Sequence, residues 1–441
     1  MKLHKHLLVD IFKAKVATDF IFLAAGQYGG MVLSIGFSLI LARLLSPSDF
    51  GLVASSLFIL NFFNWISEWG WESALMAHKQ IDLSEAASTH FFVRFFLGAL
   101  PLCCVSVFFF LPSFFGSKSI SLIVLLALSF WLEKIGLTYK TILERHSLLK
   151  SLAFFEFFSS STGLVAAVLA AFCGFGVFSL AVQRLVEKLI LLIGYFWASP
   201  WKFGLKFRWK IVKTFFVTFG VASWIGGVFN LAIYEYFMPF LIGGMAGMHQ
   251  AGLYAKAFSL ATFPLMLTAI CNRITSPIYT KNQFLTPRLR RCFVKVQTYK
   301  VFALLPMQII LAVSASFWIP MVLGDHWREM VSVYRIMTFY GLFRAFFDDV
   351  PPVISLGFKD PWALTWNQVI QSIIVVSIGP IAVSVFGASG GALSMSFAML
   401  LASVFFWHTA LSRLNCSGVK FLAIARSALM SLGGLKWIDH G

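Results

Sequence analysis

The chain has 441 residues, enough for about three soluble domains of ordinary size. Hydrophobic residues make up 59% of it and Asp, Glu, Lys and Arg only 12%, too little charge to cover the surfaces of soluble domains. The net charge of +17 falls in short gaps between apolar runs, which is the pattern of membrane-flanking loops and excludes the single basic face of a nucleic-acid binder.

A membrane-crossing helix needs about twenty predominantly apolar residues. Such runs occupy 20–42, 51–68, 91–111, 119–139, 152–173, 175–197, 214–242, 252–272, 299–323, 330–350, 362–386 and 391–411. The first lacks a cleavage site and is expected to stay as a helix, not to leave as a signal peptide. The stretch FLAIARSALMSLGGL at 421–435 is apolar but short and carries Arg426, so it reads as an interfacial helix or an incomplete further span. The expected fold is therefore an all-α polytopic membrane protein of about twelve spans.

Orientation follows from the gaps. Lys2, Lys5, Lys13 and Lys15 precede the first span; Lys140, Arg145 and Lys150 follow the fourth. Lys202, Lys206, Arg208, Lys210 and Lys213 follow the sixth, and Lys281, Arg288, Arg290, Arg291, Lys295 and Lys300 the eighth. The alternate gaps hold little beyond Arg43, Lys118, His249 and Arg328. This alternation predicts cytoplasmic N- and C-termini. The longest gap, near 273–298, is too short for a catalytic domain, so any function must reside among the helices.

Chemistry-bearing motifs are scarce. Cys103, Cys104, Cys173, Cys271, Cys292 and Cys416 form neither CxxC nor Cys/His metal spacings and read as apolar filler. No Walker-type or dinucleotide-binding glycine loop follows a strand, and HExxH and a nucleophile elbow are lacking. No metal, no cofactor and no enzymatic reaction are expected.

An internal repeat organises the chain. LLSPSDFGLV at 44–53, between the first and second spans, echoes MAGMHQAGLY at 245–254, between the seventh and eighth. Gly51-Leu52 aligns with Gly252-Leu253, and Gly26 with Gly227, at one offset. The same offset maps spans one to six onto seven to twelve. An even number of spans per half makes the repeats parallel, a transporter design with a pathway between two bundles. The expected domains are a six-helix bundle at 1–200, a second at 201–415, and a short segment at 416–441.

Residues 42–76, ARLLSPSDFGLVASSLFILNFFNWISEWGWESALM, carry a Pro-x-Asp-Phe-Gly turn and a helix that closes on Gly70 with an amphipathic continuation. Ala-Gly-Leu-Tyr at 251–254, Ser276-Pro277 and Gly324-Asp325-His326-Trp327 follow in order. In these features the sequence resembles the polysaccharide and O-antigen (Wzx-like) flippases of the multidrug/oligosaccharidyl-lipid/polysaccharide superfamily, over roughly residues 15–411. The resemblance implies two six-helix bundles around a central cavity in a bacterial inner membrane. It implies passage of an undecaprenyl-diphosphate-linked oligosaccharide to the periplasmic leaflet, with a polysaccharide polymerase and chain-length machinery as possible partners. The family usually has two further C-terminal helices, and against that pattern the C-terminal pair here is incomplete.

Sheltering a sugar diphosphate from lipid calls for polar and cationic groups, and ionisable residues inside spans are the candidates. Arg184, Glu187 and Lys188 share one face of span six, either as a self-neutralising set or as a diphosphate site with one charge to spare. Arg94, Glu133, Lys134 and Glu156 extend the polar lining of the first half, unless those near helix ends snorkel to the interface. Lys256, Arg335 and Arg344 stand out in the second half; the two arginines, nine residues apart, cannot both face one cavity. Arg273 is expected to anchor the cytoplasmic edge, with Asp348 and Asp349 at the cytoplasmic mouth. Glu156 or Glu235 is a candidate for coupling to a proton or Na⁺. Arg43 reads as a phosphate contact or a turn residue, and Trp65, Trp69 and Trp71 as sugar-stacking rings or interfacial anchors.

Two other functions compete with export of a lipid-linked glycan. A cation-coupled drug antiporter of the same superfamily would favour acidic residues in the spans, where this chain has a basic excess. A membrane polysaccharide polymerase or ligase would need a large external loop, which the short gaps do not provide.

Overall fold

A computed structural model describes most of the chain from residue 29 to 431, apart from 31–32, 69, 78–81, 109–116, 147, 205, 216–236, scattered positions between 266 and 284, 348–349 and 359–361. The described residues are helical or in turns, with no strand among them. The expected all-α membrane fold is the fold observed. The chain divides into two compact units, Met1–Tyr236 and Phe237–Gly441.

The first unit contains α1 (Leu33–Leu44), α2 (Pro47–Ser67), α3 (Trp71–Ala77), α4 (Leu83–Phe108), α5 (Ser117–Arg145), α6 (Leu149–Phe172), α7 (Phe178–Ala198) and α8 (Trp209–Phe215). The turn read as Pro-x-Asp-Phe-Gly opens α2. Ser46 caps it, with Asp49 N–H donating to Ser46 Oγ at 3.3 Å and Ser46 N–H to Asp49 Oδ2 at 3.0 Å. This reciprocal box satisfies donors that a helix start leaves open, and Pro47 sacrifices none. Helices α4, α5, α6 and α7 pack in sequence, with α5 also against α2, α3 and α7. One core joins Leu57, Leu60, Leu122, Leu126 and Ala181; another joins Tyr139, Leu152, Tyr195 and Trp201.

The second unit contains α9 (Phe237–Met245), α10 (Met248–Thr262), α11 (Thr286–Val313), α12 (Ala315–Leu323), a 3₁₀ turn at Asp325–Trp327, α13 (Met330–Phe347), α14 (Val350–Gly357), α15 (Trp362–Arg413) and α16 (Gly418–Ser431). Helix α13 packs on α10, α11 and α15, and α16 packs on α11. The repeat is visible in the helix starts. Pro47 opens α2 and Met248 opens α10, the same 201-residue separation as Gly51 and Gly252, both buried.

Among the described residues, six stretches are long and apolar enough to cross a membrane: Pro47–Ser67, Leu83–Val105, Ser119–Arg145, Leu149–Phe172, Thr286–Val313 and Gln368–Arg413. Helix α7 has the length of a span but concentrates Arg184, Glu187 and Lys188 within five residues. Helix α15 combines the two expected spans 362–386 and 391–411. It is broken at Gly387 (φ 56°, ψ −131°), a conformation side-chain-bearing residues rarely adopt. Gln250 at the start of α10 secures the break, its Oε1 accepting the Ala388 N–H at 3.2 Å.

The gap expected at 273–298 is shorter than it reads from hydropathy. Helix α11 begins at Thr286, so Arg288, Arg290, Arg291 and Lys295 lie on its first turns. A window tuned to apolar residues ends where charge begins, whereas a helix continues past the membrane surface. Most of the expected span 214–242 lies outside the described residues, as do residues 20–28 and 31–32 of the span 20–42, Gly26, Gly227 and Ser276-Pro277.

Candidate functional site

The densest group of buried charge lies where α2 breaks. Helix α2 ends at Ser67, Glu68 is extended (φ −93°, ψ 92°), and Gly70 takes φ 62° before α3 starts at Trp71. A helix end leaves carbonyls unpaired, and α2 has no basic residue in its last turn. Arg94 of α4 supplies the donor, its Nη1 meeting Ser67 O at 3.1 Å. The break also turns Glu68 and Glu72 toward α4 and α5.

Arg94 is fully buried. Its Nη2 donates to Glu68 Oε1 at 2.9 Å and also to Glu72 Oε1. Lys134 of α5, also buried, donates from Nζ to Glu68 Oε2 at 3.0 Å and stands 5.1 Å from the Phe130 ring centre. Gly98 permits this crossing, because a Cβ there would sit 2.7 Å from Lys134 Cβ. One turn before Arg94, His90 Nδ1 lies 2.8 Å from Thr138 Oγ1, and its Nε2 4.0 Å from Glu72 Oε1. Two carboxylates thus neutralise two cations, which offsets a desolvation cost of several kcal/mol for each buried ion. The cations are sealed, whereas the Glu68 and Glu72 side chains keep 34% and 24% of their surface exposed. The open side of the network is acidic and hydrogen-bond accepting.

A second network joins α5, α6 and α7. Lys188 Nζ lies 3.1 Å from Glu187 Oε1 and 3.6 Å from Glu133 Oε1. Glu133 and Lys134 diverge although adjacent, because successive helix positions point about 100° apart. Arg184, one turn before Lys188 on α7, is half-buried and has no ion pair among the described residues. Glu156 on α6 accepts from Tyr195 OH at 3.3 Å and lies 3.5 Å from Lys140 Nζ.

In the second unit Lys256 is buried on α10. Arg335 is exposed, and its guanidinium caps the end of α11. It donates to Ala312 O at 3.1 Å, Val313 O at 3.4 Å and Ser316 Oγ at 3.1 Å. Arg344 Nη1 donates to Tyr340 OH at 2.7 Å. Arg43 is exposed at the end of α1, Trp65 is half-buried beside Phe62, and Trp71 is in a core with Ala74, Leu75 and Ala86. Glu235, Arg273, Asp348, Asp349 and Trp69 lie outside the described residues.

The structure therefore brings together two sequence candidates, Arg94 and Lys134, through two residues that sequence reasoning passed over, Glu68 and Glu72. His90 was passed over as well. A signal existed: two acids four residues apart, flanking a glycine at the end of an apolar run. A carboxylate there is expensive unless a neighbouring helix supplies a cation.

Known proteins share this fold. The fold matches the Lipid II flippase MurJ in an inward closed conformation, with a TM-score of 0.66 at 15% identity over 95% of this chain and 94% of that one. It also matches an inward-facing multidrug resistance MATE family transporter of the MOP superfamily, with a TM-score of 0.62 at 14% identity over 93% and 96%. The chain belongs to the family described as polysaccharide biosynthesis protein, which it matches over residues 40–332. Among curated relatives, the lipopolysaccharide biosynthesis protein WzxC of Escherichia coli (strain K12) is 23% identical, covering 85% of this chain and 76% of WzxC. The succinoglycan biosynthesis transport protein ExoT of Rhizobium meliloti (strain 1021) is 27% identical, over 52% of this chain and 47% of ExoT. The teichuronic acid biosynthesis protein TuaB of Bacillus subtilis (strain 168) is 23% identical, over 56% and 51%.

Proposed function

We propose that this protein is a flippase for a lipid-linked oligosaccharide, carrying an undecaprenyl-diphosphate-linked glycan across the bacterial inner membrane for surface polysaccharide biosynthesis. The observation that carries the reading is the combination of a polysaccharide biosynthesis family with a multi-span fold shared with MurJ. Transport proceeds by alternating access between two six-helix halves, with both termini in the cytoplasm. No bond is made or broken by the protein, and a polymerase with its chain-length machinery takes the product.

The geometry supports distinct roles for the charged residues. Among the described residues Arg184 has no ion-paired carboxylate, and Lys188 beside it can exchange a carboxylate for a phosphate oxygen. These two bind the diphosphate. Lys256 and Arg344 extend the polar route in the second half, and Glu156 or Glu235 carries the coupling ion. Arg94 and Lys134 act through Glu68 and Glu72, whose exposed carboxylate edges accept hydrogen bonds from sugar hydroxyls. Export of surface glycan by cells carrying R184A/K188A tests the assignment. Loss of export with normal membrane insertion is expected; full export would remove these residues from the site.

A further inference from the structure

Two cations converge where α11, α15 and α16 meet. Asn415, just past the end of α15 with φ 48°, offers its carbonyl to Arg290 Nη1 at 3.1 Å and to Lys420 Nζ at 3.5 Å. Like charges that share one acceptor repel, and a carbonyl carries only a partial charge. None of the three helices brings a carboxylate to the junction: the sequence has no Asp or Glu between Glu235 and Asp325, nor between Asp360 and Asp439. All three helices fall within those acid-free stretches. Arg290 Nε is buried and has no hydrogen-bond partner among the described residues, so a donor is left over. The junction itself is firmly built, with Trp407 between Phe293 at 5.4 Å and Phe421 at 6.3 Å.

Helix α16 gives the missing anion a source. It begins at Gly418, directly after the turn at Asn415, so Lys420 stands in its first turn. Val419 and Leu422 flank Lys420 and are 80% and 69% exposed. Apolar side chains beside a cation at the start of a helix are the pattern of a helix end at the level of the lipid headgroups.

We propose that Arg290 and Lys420 form a binding site for the phosphodiester headgroup of an anionic phospholipid, with Val419 and Leu422 set among its acyl chains. The lipid resolves the repulsion and fastens α16 to α11. The site is independent of the transported substrate.

Thermal unfolding of the purified full-length protein, with phosphatidylglycerol, phosphatidylcholine or inorganic phosphate added, tests this. Phosphatidylglycerol should raise the melting temperature of the wild type by several degrees and phosphatidylcholine by much less. R290Q/K420Q should lose most of that difference. An equal response in the variant would overturn the site, equal effects of the two lipids would overturn the charge recognition, and a matching shift with inorganic phosphate would overturn the lipid as source. Should the double variant fail to fold, K420Q, which keeps the Arg290–Asn415 bond, replaces it. Native mass spectrometry of the wild type gives a separate answer, since release of phosphatidylglycerol as readily as phosphatidylcholine would also reject the proposal.

Discussion

Arg94 Nη2 donates to Glu68 Oε1 at 2.9 Å, while the other oxygen of the same carboxylate accepts Lys134 Nζ at 3.0 Å. Glu68 is thus shared by cations from two helices, and it sits at the break that separates α2 from α3. Removing either end of such a buried pair leaves a charge without compensation.

Arg94→Ala should therefore be a folding variant as much as a transport variant. It leaves Glu68 and Glu72 facing each other and Ser67 O without its donor, a loss of about 3–5 kcal/mol. Melting temperature and yield in detergent measure this, and Arg94→Lys should recover only part of the loss because it lacks the forked donor. Wild-type stability in R94A would show that the network does not hold α2 to α4.

Glu68→Gln should be more damaging than Glu72→Gln. The first weakens close ion pairs to both Arg94 and Lys134, the second the close pair to Arg94 and the longer contact with His90. Parallel melting curves decide the order, and a reversed order would contradict the shared role of Glu68.

Of these residues Arg94 and Lys134 are legible in the sequence, because a cation within an apolar run stands out. Glu68 and Glu72 do not, since acids at the end of a span look like loop residues until the break between Ser67 and Trp71 brings them to Arg94. The repeat was legible where local rules are strong, at Pro47 and Met248 with their buried Gly51 and Gly252. Arg335 shows the opposite limit. Its place on a span suggested a polar pathway, but its donors are directed to the carbonyls that end α11, a tertiary contact that periodicity does not encode. The extent of α11 was hidden for a related reason, because hydropathy reports burial in lipid and not helicity.

Arg335→Ala should accordingly lower stability by no more than about 1 kcal/mol, the usual scale for a cation at a helix C-terminus. Glycan export should continue. Loss of export from a stably inserted R335A protein would return this residue to the transport route.

Gly387→Ala should destabilise the second unit by about 1–3 kcal/mol through backbone strain. Gln250→Ala should cost about 1 kcal/mol by stranding the Ala388 N–H. Because both act on one break, the double variant should lose less than the sum of the two, as read by a double-mutant cycle of melting temperatures. Strict additivity would mean that Gln250 does not secure the break.

Gly98→Ala should push α4 from α5 at the Lys134 crossing and cost about 1–3 kcal/mol by overpacking. An unchanged melting temperature would show that the two helices do not approach as closely as the crossing requires.

The most direct test of the central claim is transbilayer movement in liposomes containing the purified protein and a fluorescent undecaprenyl-diphosphate-linked oligosaccharide. With any driving ion gradient supplied, the protein should move the lipid between leaflets, measured as a rising fraction accessible to an external quencher, and R184A/K188A should not. Movement no faster than in protein-free liposomes, from well-folded protein, would contradict the assignment of this chain as a flippase.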